Sequence, residues 1–312
     1  MAERDRLPQL SGELFITDGG METTVIFHRG IDLPHFASFD LLATDEGRQV
    51  LRDYYGTYVS LARDRGVGLL LDTPTWRANR DWGELLGYSE DALARVNRDA
   101  VALVGALRTE DGPPIVVSGC VGPRGDGYQA ATLMTAEEAQ GYHAAQIETF
   151  AGTDAELVSA LTLNYVEEAV GIARAADDAG IPVAISFTVE TDGRLPTGQS
   201  LGEAIEQVDA ETDGAPAYFM VNCAHPTHFA DALVAGEPWL ERLGGLRANA
   251  SRKSHAELDE SDSLDAGNPQ ELGGQYAELR SRLPRVTVVG GCCGTDERHI
   301  GAICDAWTDA GR

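Results

Sequence analysis

Three of the five cysteines fall in two short stretches, "AYFMVNCAHPTH" with Cys223 and "VTVVGGCCGTDERHI" with Cys292 and Cys293. Each follows an apolar, strand-like run. Three thiolates with one open position describe a catalytic zinc site, because structural sites are usually closed by four protein ligands. Adjacent residues of a regular strand point to opposite faces, so Cys292 and Cys293 can share an ion only where the strand has already broken. Gly290, Gly291 and Gly294 are read as giving the backbone that freedom. Two other readings stay open. Cys292 and Cys293 are also placed for a vicinal disulfide or redox pair, which would leave Cys223 without a role. His225 and His228 offer imidazole ligands, although Pro226 makes their segment a turn leading into a helix. Cys120 and Cys304 read as small buried hydrophobes.

The frame for these residues is a set of eight apolar runs: "ELFITD", "VGLLLD", "PIVVSG", "AELVSALT", "PVAISFT", "AYFMVNC", "GGLRANA" and "VTVVGG". They are bounded by Gly, Pro or polar residues, and several are rich in Val, Ile and Leu, as strands buried on both faces require. Helical stretches lie between them. "NYVEEAVGIARAADDAG" ends on Gly180 with Pro182 behind it, and Thr135 followed by Glu138 makes a capping box. The alternation predicts a (β/α)8 TIM barrel, a single domain over 1–312 with its core at about 13–308. A doubly wound open sheet is the rival, but "DGGMETTVIF" is not the phosphate turn that such a sheet carries after its first strand. The polar stretch "SRKSHAELDESDSLDAGNPQ" reads equally as a lid or as a surface loop.

Active sites of such barrels lie at the C-terminal strand ends. Those ends present Asp18, Gly19 and Gly20; Asp72 and Thr73; Gly119 and Cys120; Leu161 and Thr162; Thr188 and Glu190; Asn222 and Cys223; Asn249; and Cys292 with Cys293. Strands 6 and 8 are separated by one strand, so their ends are about 9–10 Å apart, a gap that inward side chains close around one ion.

Composition removes several classes. The formal net charge of −26 makes nucleic acid and anionic membrane surfaces poor partners. No apolar run approaches the ~18 residues of a membrane span and "MAERDRLPQL" has no secretory core, so a cytoplasmic protein is expected. Lys253 is the only lysine and lies in a loop, which argues against a Schiff-base aldolase. A zinc hydrolase would need a base such as Asp18 or Glu190, but hydrolases favour His and carboxylate ligands.

"DGGM", "DTPTWRAN", "SGCVGP", "VNC" and "GGCCGT", each after its strand, together resemble the zinc-dependent homocysteine S-methyltransferase family, which includes betaine- and S-methylmethionine-dependent enzymes. The resemblance runs from about Leu14 to Ile303. It implies that Cys223, Cys292 and Cys293 bind Zn2+, and that Asp18, Gly19 and Thr73 lie around the amino-acid end of homocysteine. Gly20 and Asn222, at neighbouring strand ends, join them as candidate substrate contacts. The resemblance also implies a small methyl donor, often a sulfonium or quaternary ammonium cation, for which Trp76 offers an aromatic face. The sequence departs from the family pattern at Leu161, where a Glu usually holds the amino group, and at Cys120, where Ser is common. The acceptor is therefore homocysteine or another thiol or selenol, and a non-catalytic zinc- or thiol-binding relative is the alternative to an enzyme.

Overall fold

All eight apolar runs become strands: β1 (Phe15–Ile16), β2 (Gly68–Asp72), β3 (Ile115–Val121), β4 (Leu157–Leu163), β5 (Val183–Phe187), β6 (Tyr218–Asn222), β7 (Leu243–Ala248) and β8 (Val288–Gly291). In the computed structural model, which describes residues 7–130, 133–261 and 263–311, they are parallel and close into a barrel in chain order, β8 pairing with β1. The (β/α)8 expectation is met. Apart from β3, the strands are shorter than the apolar runs, β1 most of all.

The side-chain period of two sorts each strand between two cores. Phe15, Leu70, Val116, Leu157, Ala184, Tyr218, Met220 and Val288 pack together in the barrel interior. Residues between them, such as Leu69, Leu71, Val117 and Val158, face the helices and join a second, larger cluster with Phe150, Ile172 and Trp307. Toward the C-terminal mouth the interior positions turn polar. Ser118 and Ser159 meet at 2.7 Å, and above them come Asp72, Asn222 and Arg247.

The helical layer starts late. After β1 the chain makes a short helix α1 (Met21–Thr23), a π-helical turn (Thr24–His28) and two 3-10 turns before α2 (Asp45–Arg65). This insert carries Phe27 and Phe36 over the mouth, 41% and 43% exposed. Then follow α3 (Arg80–Leu85), α4 (Glu90–Gly105), α5 (Ala136–Ala151), α6 (Val166–Ala179), α7 (Leu201–Glu211), α8 (Pro226–Phe229), α9 (His255–Asp259), α10 (Pro269–Arg280) and α11 (Glu297–Asp309). Thr135 and Glu138 form the expected capping box on α5, and Gly180 ends α6 in the left-handed region, at φ 71°. The 251–270 stretch, of which 262 lies outside the described residues, contains α9 and supplies Leu258, Ser261 and Leu264 to the wall of the mouth cavity. No helix among the described residues is long and apolar enough to cross a membrane.

Candidate metal centre and substrate cavity

The sulfur atoms of Cys223, Cys292 and Cys293 lie within 4.8 Å of one another, the one group of potential metal ligands among the described residues. Two chain breaks bring them there. At the end of β6, Cys223 adopts φ 55°, rare for a residue with a side chain. Its amide still donates to Arg247 O at 3.1 Å, while Asn249 Nδ2 and His255 Nε2 hold its carbonyl at 2.9 and 2.8 Å. At the end of β8, Cys292 N–H donates to Ala248 O at 2.9 Å, and Thr295 Oγ1 donates to Cys292 O at 2.7 Å. The glycines here do different work from that expected. Gly294 alone of the three is left-handed, at φ 77°. Gly290 and Gly291 supply space, since a Cβ on them would collide with the side chains of Thr17 and Thr295.

The vicinal pair is not joined. Instead Cys223 and Cys292, whose Cα atoms are 5.4 Å apart, stand at disulfide-bonding distance across the two strand ends. Disulfide and metal binding are alternative states of this pair, because a ligating sulfur must be a thiolate. Cys223 and Cys293 stand 3.8 Å apart, the spacing of two sulfurs about 2.3 Å from a tetrahedral ion. With Cys223 and Cys292 reduced, the donor set fits zinc. Burial pushes the Cys293 thiol up to about 11, so a cation is needed to ionise it near neutral pH. The Tyr128 hydroxyl lies 3.6 Å from Cys293 Sγ, and its ring stacks on His255 at 4.0 Å. Neither open histidine joins the cluster. His225 caps α8 and bonds Thr227 Oγ1 at 2.8 Å, with burial holding it down at about 4, and His228 Nε2 donates to Arg252 O at 2.9 Å. Cys304 is buried in the outer core and Cys120 in the barrel interior, as expected of small hydrophobes.

The sulfurs form one wall of a cavity of about 380 Å³. Asp18, Gly19, Gly20, Thr73, Trp76 and Asn222, the substrate contacts expected from sequence, all line it, as does Leu161. Several are already engaged. Thr73 Oγ1 accepts from Cys120 N at 2.9 Å. Asn222 Oδ1 accepts from Ser186 Oγ at 2.6 Å and Thr162 N at 2.9 Å, tying β4, β5 and β6 together. Arg77 sits 4.2 Å from the Trp76 ring centroid, so one face of that ring holds a resident cation. Gly19 and Gly20 are glycines because a Cβ would press on Thr295 O and Cys292 O.

Sequence reasoning named Asp18 and Asp72 at their strand ends but missed Arg247, which joins them into a charged floor. Arg247, on the interior face of β7 and 5% exposed, donates from Nη2 to Asp18 Oδ1 at 2.6 Å and from Nη1 to Asp72 Oδ2. Its Nε donates to Gly291 O at 3.2 Å. Tyr54 donates to the other Asp18 oxygen at 3.1 Å. Burial pushes Asp18 up to about 6 against the opposing pull of Arg247. Burial also works against the Arg247 charge, but Asp18 and Asp72 outweigh it and hold its pKa above the ordinary guanidinium value. The signal was present in "GGLRANA", an arginine inside an apolar run. Tyr128, Phe27 and Phe36 also line the cavity, on loops that gave no such signal.

Fold and site together define a parallel (β/α)8 barrel whose mouth carries a three-cysteine metal-ligand cluster beside a substrate-sized cavity. The homocysteine S-methyltransferase model matches residues 15–307, and the chain belongs to that family, enzymes that methylate homocysteine. Among solved structures, the oxidized form of the homocysteine methyltransferase MmuM from Escherichia coli aligns with a TM-score of 0.74 at 19% identity, covering 96% of this chain and 98% of that one. Its metallated form aligns with a TM-score of 0.71 at 18% identity, covering 95% and 96%. At these identities the likeness speaks for the fold. Among curated proteins none matches the sequence.

Proposed function

We propose that the chain transfers a methyl group from a small sulfonium or quaternary ammonium donor to the thiol of homocysteine, giving methionine, with Zn2+ held by Cys223, Cys292 and Cys293. The observation that carries the reading is the convergence of three sulfurs on the wall of a closed-ended cavity. Held by these three thiolates, Zn2+ would supply the Lewis acidity that ionises a substrate thiol near neutral pH. The reaction is an in-line displacement: the acceptor sulfur's electron pair forms the new S–C bond as the donor's bond to methyl breaks, and the donor leaves as a neutral thioether or amine. No base is needed at the methyl carbon, so the residues here mainly hold and orient. Phe27, Phe36 and the free face of Trp76 offer aromatic surface for the donor cation at the mouth. Asn222 Nδ2, 3.8 Å from Cys292 Sγ, and the Tyr128 hydroxyl offer hydrogen bonds to the sulfurs.

The test is incubation of reduced, zinc-loaded protein with homocysteine and, in turn, S-methylmethionine, S-adenosylmethionine and betaine, with methionine detected by mass. A sulfonium donor is expected to work best, because a thioether leaves more readily than an amine. Methionine from no donor would turn attention to other thiols and selenohomocysteine, since Leu161 is apolar. Failure of every acceptor with zinc bound would mark a metal- or thiol-binding relative without the chemistry.

A further inference from the structure

The cavity floor holds one carboxylate oxygen with nothing to do. Asp72 Oδ1 is buried and has no hydrogen-bond partner among the described residues. Its sister Oδ2 takes Nη1 of Arg247, and the Tyr55 hydroxyl bonds the Asp72 carbonyl at 2.8 Å, so backbone and carboxylate are both fixed in place. A buried acceptor left unmade costs about 1–3 kcal/mol, and among the buried side-chain atoms of the described residues that lack a partner, Asp72 Oδ1 is the one carboxylate oxygen.

The other carboxylates around the cavity are engaged or peripheral. Asp18 accepts on both oxygens, from Arg247 and from Tyr54. Asp126 accepts from the amides of Tyr128 and Gln129, and Asp265 from Ser251 Oγ at 2.7 Å. Glu22 is half-buried and takes Ser38 Oγ at 2.7 Å. Asp259 is exposed on the loop rim. Formal charge points the same way: Asp18 and Asp72 against Arg247 leave the floor at −1. A floor of that sign attracts a cation and disfavours a second anion. Leu161, 7% exposed on the same cavity, offers no polar atom to compete.

We propose that Asp72 Oδ1 receives the ammonium group of the acceptor thiol, making Asp72 the residue that selects an amino-acid thiol over its deaminated analogue. Arg247 is then a positioning residue, pinning Oδ2 and with it the carboxylate of Asp72. This assignment rests on the homocysteine reading above, and its test separates the two.

Reduced, zinc-loaded protein is titrated by calorimetry with L-homocysteine and with 4-sulfanylbutanoate, which has the same thiol and carboxylate but no amino group. Wild-type protein is expected to prefer homocysteine by about tenfold to a hundredfold, the worth of one charge-assisted hydrogen bond. Asp72→Asn, nearly isosteric, brings the ratio of the two affinities to within about threefold, while Glu22→Gln preserves it. Retained preference in Asp72→Asn, or collapse in Glu22→Gln alone, overturns the assignment. Equal binding of the two thiols by wild type also overturns it while leaving the homocysteine reading intact. Binding of neither thiol sinks both. Should Asp72→Asn fail to fold, Asp72→Asn combined with Asp18→Asn and Arg247→Met removes the whole ion network, leaves no buried charge unpaired and carries the same expectation.

Discussion

The two sides of the cavity are built by opposite means. The sulfur wall is made by backbone: Cys223 and Cys292 are set by main-chain bonds to Arg247 O and Ala248 O, and the chain turns sharply at Cys223 and Gly294. The charged floor is made by side chains that meet from the ends of β1 and β2 and from β7. A backbone-built site keeps its shape when one side chain is lost. A floor of mutually paired charges fails when one member goes, because its partners remain buried and unpaired. One arrangement tolerates the exchange of ligands that the proposed zinc centre would undergo. The other fixes charges that must not move.

The largest effect is expected on the sulfur side. Cys223→Ala, Cys292→Ala and Cys293→Ala should each take bound zinc from about one per chain to near zero, with far-ultraviolet dichroism little changed. Metal analysis decides it, and full zinc in any one variant would return His225 and His228 to consideration. On the floor, Arg247→Met should leave metal binding in place but destabilise the fold by about 3–5 kcal/mol, read from denaturant unfolding. Adding Asp18→Asn and Asp72→Asn to it should restore most of that loss; no recovery would mean that Arg247 acts through packing rather than charge.

Leu161→Glu places a carboxylate on the apolar side of the cavity and is expected to tighten homocysteine binding by about tenfold, at some cost in stability. Unchanged affinity would show that the amino group does not approach β4. Asp18 yields a pH signature. Its folded-state pKa of about 6 lies above the ordinary aspartate value of about 3.9, so folding takes up a proton in that window. The stability it contributes is full below pH about 4 and is lost as pH rises through about 6, so the wild-type minus Asp18→Asn difference in unfolding free energy should fall across that range. A flat difference would show that Arg247 keeps Asp18 ionised throughout. The smallest effect belongs to Tyr128→Phe, which keeps the ring stacked on His255 but removes the hydroxyl beside Cys293, and should weaken zinc affinity by about fivefold in a chelator competition.

The barrel and the cysteine trio were written locally. Eight apolar runs alternate with capped helical stretches, and "GGCCG" stands out because cysteine is rare in this chain, five among 312 residues. The position of those cysteines at strand ends followed from the fold, since every strand of such a barrel delivers its C-terminal end to the same mouth. Strand-end placement put Asp18 and Asp72 at the mouth, but their pairing through Arg247 was hidden for the converse reason. Asp18 and Asp72 are two of 50 acidic residues, and nothing local distinguishes a buried carboxylate from a solvated one. Arg247 lies 229 residues from Asp18 and 175 from Asp72, and only closure of the barrel brings the three together. The left-handed turn at Cys223 was equally unreadable, because tertiary bonds to its amide and carbonyl hold a conformation that its own side chain disfavours. Sequence by itself determined which residues can ligate a metal and which fold presents them. Tertiary structure alone decided which carboxylate is left free to meet a substrate, because that depends on partners contributed by strands far apart in the chain.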